Sequence, residues 1–174
     1  DFDNDGYKDI FVTNGFLRDF TNKDFLRYWG DYKLKKAMDH QPQKFMDLIS
    51  AMPSTILTNY IFKNNHDLTF SNAVKQWGIN HPGISSGAVY VDLDNDGDLD
   101  IVANRVNDDA LLYKNMAVEN GNGNFISLKL TYKTPNINAI GTKVYIYTNG
   151  LMQYQEVNPN RGFLSAVSTV LNFG

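Results

Sequence analysis

Two nine-residue segments concentrate the chemistry of this chain: DFDNDGYKD at Asp1 to Asp9 and DLDNDGDLD at Asp92 to Asp100. Each places aspartate at positions one, three, five and nine, giving Asp1, Asp3, Asp5 and Asp9 in the first copy and Asp92, Asp94, Asp96 and Asp100 in the second. Four carboxylates in so short a turn repel one another unless a cation shares them. A hard cation such as Ca2+ takes six to eight oxygens at about 2.3–2.6 Å, and alternating aspartates on a curved backbone supply them. The main-chain carbonyl at position seven, Tyr7 or Asp98, is a further candidate ligand, which would leave the Asp98 side chain pointing away from the metal. Gly6 and Gly97 permit the sharp turn that bulkier residues resist. Mg2+ fits less well, since it demands near-ideal octahedral geometry and tends to keep its waters.

A solvated acidic turn would explain one such stretch, but not the duplication of the whole pattern. An EF-hand needs a bidentate Glu at position twelve and flanking helices. Position twelve here is Val12 or Ala103, and each loop runs into a β-rich segment, IFVT or IVAN. The loops are therefore expected to join strands.

The elements that hold the loops are repeated too. An apolar run ending aromatic-Lys-Asn follows each one, as Asn59 to Asn64 and as Ala110 to Asn115. Phe62 lies 61 residues beyond Asp1, whereas Tyr113 lies 21 beyond Asp92, so the first copy carries 40 extra residues. The loops themselves are 91 residues apart; without the extra segment they would be 51 apart, near the roughly 40–50 residue period of propeller blades. The second loop is preceded by the strand-like Gly87 to Val91 and the first by nothing, so the chain reads as a fragment.

The extra residues, about 17–56, read as helix. Thr21 can cap a segment whose Phe25, Trp29, Tyr32 and Leu34 keep approximate helical spacing. A second helix is expected from about Pro42 through Phe45, Met46, Ile49 and Met52, stopping at Pro53. Such an aromatic stripe is expected to pack against the sheet. Short strands are expected at Ile10 to Thr13, Thr58 to Phe62, Leu68 to Phe70, Ala88 to Val91, Asp100 to Asn104 and Leu111 to Tyr113.

Composition narrows the function classes. The 174 residues are 43% hydrophobic and 20% charged, the profile of a folding chain. A net charge of −3 and a pI near 5.5 remove the electrostatic footprint of a nucleic-acid binder. No apolar run is long enough to insert in a membrane, and there is no cysteine for disulfides, thiolate metal sites or a nucleophile. His40, His66 and His81 lie in separate segments and read as loop or surface residues, and neither His-Glu-x-x-His nor a phosphate loop occurs.

A D-x-D-x-D-G-x-x-D loop followed by a short apolar strand, repeated at blade spacing, resembles the FG-GAP or VCBS repeat of integrin-α-type β-propellers. The resemblance implies that the loop joins neighbouring strands of a blade and that the eight aspartates bind Ca2+, which stiffens the blade. The later part alternates apolar and polar residues at Phe125 to Tyr132, Lys143 to Thr148 and Leu151 to Val157, with the hairpin signal Asn149-Gly150 between the last two, so a small antiparallel sheet is expected. Its NAIGTKVYIY run, then QYQEV, NRGFLS and NFG, is similar to the ASPIC/UnbV domain, cut short at its end.

The expected fold is mainly β: partial β-propeller blades over residues 1–118 with the helical insertion, then a small antiparallel β domain over 125–174. The expected function is a non-catalytic, calcium-binding recognition or adhesion module, secreted or in the cell envelope, with a protein or glycan ligand. The scaffold of a secreted polysaccharide-acting enzyme and a purely structural spacer remain open alternatives.

Overall fold

The computed structural model describes residues 1–42, 44–122 and 124–174. In chain order the first half contains β1 (Ile10–Val12), α1 (Lys23–Met38), α2 (Phe45–Ala51), β2 (Leu57–Thr58), β3 (Tyr60–Asn64), β4 (Phe70–Asn72) and β5 (Pro82–Gly83). The second half contains β6 (Ala88–Val91), β7 (Asp100–Ala103), β8 (Leu111–Tyr113), β9 (Ile126–Lys129), β10 (Lys143–Thr148), β11 (Leu151–Glu156) and β12 (Val170–Phe173). The protein is mainly β, as its sequence pattern predicts.

Two three-stranded antiparallel sheets, β1-β3-β4 and β6-β7-β8, form the blade-like half. Their registers match across the repeat. Ile10 faces Phe62 on β3, and Ile101, the same residue of the second copy, faces Tyr113 on β8. The aromatic-Lys-Asn run thus occupies one structural position twice, and the insertion lies between two strands that pair as though it were absent. Ile61, Ala73, Ile79 and Ile101 form the buried core that joins the two sheets, with Phe2, Phe11, Trp77 and Tyr113 packed on it. Asn115 adds a polar tie, donating from Nδ2 to the Phe2 carbonyl across the sheets at 2.6 Å.

The insertion differs from expectation in two respects. Asn22, not Thr21, caps α1: its side chain accepts the Phe25 amide at 2.9 Å, while Thr21 instead bonds Asp19. The aromatic stripe is covered only in part, with Leu34 63% exposed. Phe25 is the one buried residue of α1; Trp29 stacks on its neighbour Tyr32 at 5.4 Å, and no residue of α2 is buried. Arg18 and Asp19 close the base of the insertion on the Met52 and Pro53 carbonyls.

The C-terminal half is two two-stranded sheets rather than one. β10 and β11 form the expected hairpin, with Thr148 opposite Leu151 and Asn149 and Gly150 both at positive φ (48° and 83°), as a two-residue turn requires. β9 pairs instead with β12, Ile126 facing Phe173. Val157, Leu171 and Phe173 form the shared core beneath Leu128, Val144 and Ile146.

Because the insertion closes on its own base and, among the described residues, contributes one buried side chain, replacing residues 20–52 with a short glycine-rich linker should leave β1 and β3 paired. Thermal melting followed by circular dichroism should show a cooperative transition within about 5 °C of the full chain. A product that no longer melts cooperatively would make the helices integral to the sheet.

Candidate metal centre

The first acidic loop runs into β1 and the second joins β6 to β7, and the same backbone conformation recurs. Asn4 and Asn95 at position four and Gly6 and Gly97 at position six all adopt positive φ: 54° and 62° for the asparagines, 86° and 102° for the glycines. Asparagine tolerates that region better than most side chains and glycine best. At Gly97 the neighbours add a second reason, since a Cβ there would lie 1.9 Å from the ring of Phe125.

Hydrogen bonds within the loops are also duplicated. The position-one carboxylate accepts the position-six amide: Asp1 from Gly6 at 3.1 Å and Asp92 from Gly97 at 3.2 Å. The position-five carboxylate accepts the position-seven amide, Asp5 from Tyr7 at 2.9 Å and Asp96 from Asp98 at 3.1 Å. Asp9 and Asp100 each accept two amides. Asp9 takes those of Phe2 (2.7 Å) and Asn64 (3.0 Å), and Asp100 those of Leu93 (3.1 Å) and Asn115 (2.8 Å). The position-nine aspartate therefore fastens the start of its loop to the end of the paired strand, β3 or β8.

The structure brings Asp1, Asp3 and Asp5 together in one cluster and Asp92, Asp94 and Asp96 in the other, with one carboxylate oxygen of each lying within 4.8 Å of the others. Asp9 and Asp100 stand outside both clusters. Tyr7 stacks its ring on His66 at 3.8 Å. Asp98 is fully buried and takes the Val118 amide at 3.1 Å, and its carboxylate groups with Asp96 and Glu119 rather than with Asp92 and Asp94. Its carboxylate thus lies beside Asp96.

Whether these groups suit a cation is decided by their unfilled oxygens. Among the described residues, Asp3 Oδ1, Asp92 Oδ1, Asp96 Oδ2 and Asp98 Oδ1 are buried without a hydrogen-bond partner. Buried carboxylate oxygens without a donor are costly, and a hard cation would satisfy them. The residues present fit Ca2+. The carboxylate oxygens of both clusters are the ligands that hard cations prefer, and the imidazole of His66 is engaged on Asp5.

The electrostatics of the two loops differ in detail. Burial alone would raise the Asp5 carboxyl, but the hydrogen bond from His66 (2.8 Å) and the Tyr7 amide outweigh it and hold it below its ordinary value. Burial pushes Asp98 up to about 6, with the charges of Asp96 and Asp100 adding to the rise against the Val118 hydrogen bond.

Several participants escape sequence reasoning. Lys63 pairs with Asp3 and lies 3.6 Å from Asp5; Lys114 pairs with Asp94 at 2.6 Å and lies 3.7 Å from Asp96. Asn64 and Asn115 supply the straps to position nine and also bond the Lys8 and Leu99 carbonyls. The signal was present in the repeated aromatic-Lys-Asn run, which by itself marks only the repeat. Gly83-Ile84-Ser85-Ser86-Gly87 also has the Gly-x-Ser-x-Gly spacing of a nucleophile elbow. It joins strand β5 to strand β6 instead of opening a helix, and Ser85 is buried, its Oγ held by Asn59 at 3.1 Å.

A family model described as FG-GAP-like repeat matches residues 44–103, which include the second acidic loop, and one described as ASPIC and UnbV matches residues 132–174. No curated protein and no solved structure matches the chain.

The raised Asp98 carboxyl gives a pH prediction for the metal-free protein. Between the ordinary aspartate range and about 6 the folded state binds a proton that the unfolded state has lost, so this group adds stability as pH falls through about 6. Melting in chelator at pH 7 and pH 5 should therefore show Asp98→Asn more stable than the parent at pH 7, the advantage shrinking at pH 5. An advantage that does not change with pH would contradict the assignment.

Proposed function

We propose that this chain, which carries an FG-GAP-like repeat followed by an ASPIC and UnbV domain, is a calcium-stabilised, non-catalytic recognition module that works outside the cell or in the cell envelope. The observation that supports this most is the duplication: two loops with the same backbone, the same amide bonds and the same triad of converging carboxylates, with buried oxygens unpartnered in both. In this reading Asp1, Asp3 and Asp5 hold one ion and Asp92, Asp94 and Asp96 another, while Asp9 and Asp100 hold the loops to the strands. The ions supply no reaction chemistry; they cancel charge and tie strand to strand.

A location outside the cell suits loops with the millimolar affinity of extracellular calcium modules. A site of millimolar affinity fills where calcium is millimolar and stays largely empty in cytosol. Among the described residues no helix is long and apolar enough to cross a membrane. The partner is a protein or glycan, met by a surface that the rigid loops hold in place.

A ligand that binds only the folded state stabilises it by about 2.7 kcal/mol at one hundred times its dissociation constant, or about 5–10 °C for a chain of this size. Calcium at several millimolar should raise the melting temperature relative to chelator, and Asp94→Asn with Asp96→Asn should remove the part contributed by the second loop. Equal melting temperatures of the parent protein in chelator and in calcium would refute the structural role. Turnover of a polysaccharide by the purified chain would refute the non-catalytic one.

A further inference from the structure

We propose that Lys63 and Lys114 are tethered competitors of the cation, each ammonium holding the carboxylates that calcium would take and so setting the affinity of its loop. The inference rests on the calcium reading above and concerns how strongly each site binds.

Strand pairing fixes both lysines in the same place. Each follows the aromatic residue that faces the isoleucine at the loop exit, Phe62 opposite Ile10 and Tyr113 opposite Ile101. Each contacts the carboxylates of positions three and five, Lys63 on Asp3 and Asp5, Lys114 on Asp94 and Asp96. One such pair would be an ordinary ion pair. Two at corresponding positions of a repeat mean that each loop has a positive charge of its own chain, on a flexible stem, placed against the same two carboxylates. The stems have room to leave, with the lysine side chains 36% and 49% exposed. A divalent ion in the cluster would share oxygens with the ammonium and be repelled by it, so binding requires the lysine to swing out.

The loops differ in where the lysine can go. Lys114 already reaches Glu119 Oε1 at 2.9 Å, so a carboxylate outside the Asp92, Asp94 and Asp96 cluster waits to receive it. Among the described residues Lys63 pairs only with Asp3 and Asp5, and His66 adds a second nitrogen 2.8 Å from Asp5. Displacement is easier in the second loop, which should bind calcium more tightly than the first.

Calorimetric titration with CaCl2 tests this in a chain carrying Asp3→Asn and Asp5→Asn, so that the second loop alone is read. Lys114→Met should lower the dissociation constant by about three- to tenfold, and Lys114→Arg should leave it within about twofold. Glu119→Gln should weaken binding when Lys114 is present and have little effect beside Lys114→Met, since the glutamate acts through the lysine. Lys63→Met in a chain with Asp94→Asn and Asp96→Asn is the corresponding test of the first loop, with the same expected tightening. Calcium binding that is unchanged or weaker in both methionine variants would overturn the proposal and leave the calcium reading standing. No calcium binding by either the parental backgrounds or the variants would overturn both.

Discussion

Like charges forced onto one tight turn set the terms for the rest of this structure. Three carboxylates converge within 4.8 Å in each loop, and everything around them offsets that repulsion. Backbone amides at positions six and seven are spent on positions one and five, and a lysine from the neighbouring strand covers positions three and five. The position-nine aspartate stands outside the cluster, and its two amide bonds close the loop against the next strand. The same interaction that strains the turn therefore dictates which strands meet: a loop that opened would release Asn64 or Asn115, and with it the end of β3 or β8.

The two halves of the chain also meet at these turns. Gly6 lies against Leu151 and Gln153 of β11, Gly97 against Phe125, and the Lys8 ammonium bonds the Tyr154 carbonyl at 2.6 Å. Ser165 and Arg161 cover β6 through the Ala88 amide and the Tyr90 hydroxyl. Position six is glycine in both loops for the turn itself and for the close approach of the C-terminal sheets. Whatever stiffens the loops therefore also stiffens their contacts with the C-terminal strands.

Much of this was legible in the residues because local chemistry dictates it. Alternating aspartates with a glycine at position six specify the turn, Asn149-Gly150 specifies the hairpin, and the two aromatic-Lys-Asn runs specify which strands correspond. What was not legible depends on contacts distant in sequence. The partner of β9 is β12, more than forty residues on, and no local pattern distinguishes it from β10. The aromatic spacing of α1 predicts a face packed on a sheet, yet Trp29 and Tyr32 satisfy one another by stacking. Lys63 lies 60 residues from Asp3, and their pairing appears only when the 40-residue insertion is looped out.

The most direct test of the account is a crystal structure of the chain grown at saturating calcium. The account predicts one ion per loop, held at about 2.3–2.6 Å by oxygens of Asp1, Asp3 and Asp5 and of Asp92, Asp94 and Asp96, with both lysine ammonium groups withdrawn from the carboxylates. Lysines still seated on Asp3 and Asp94, with no ion in either loop, would contradict it.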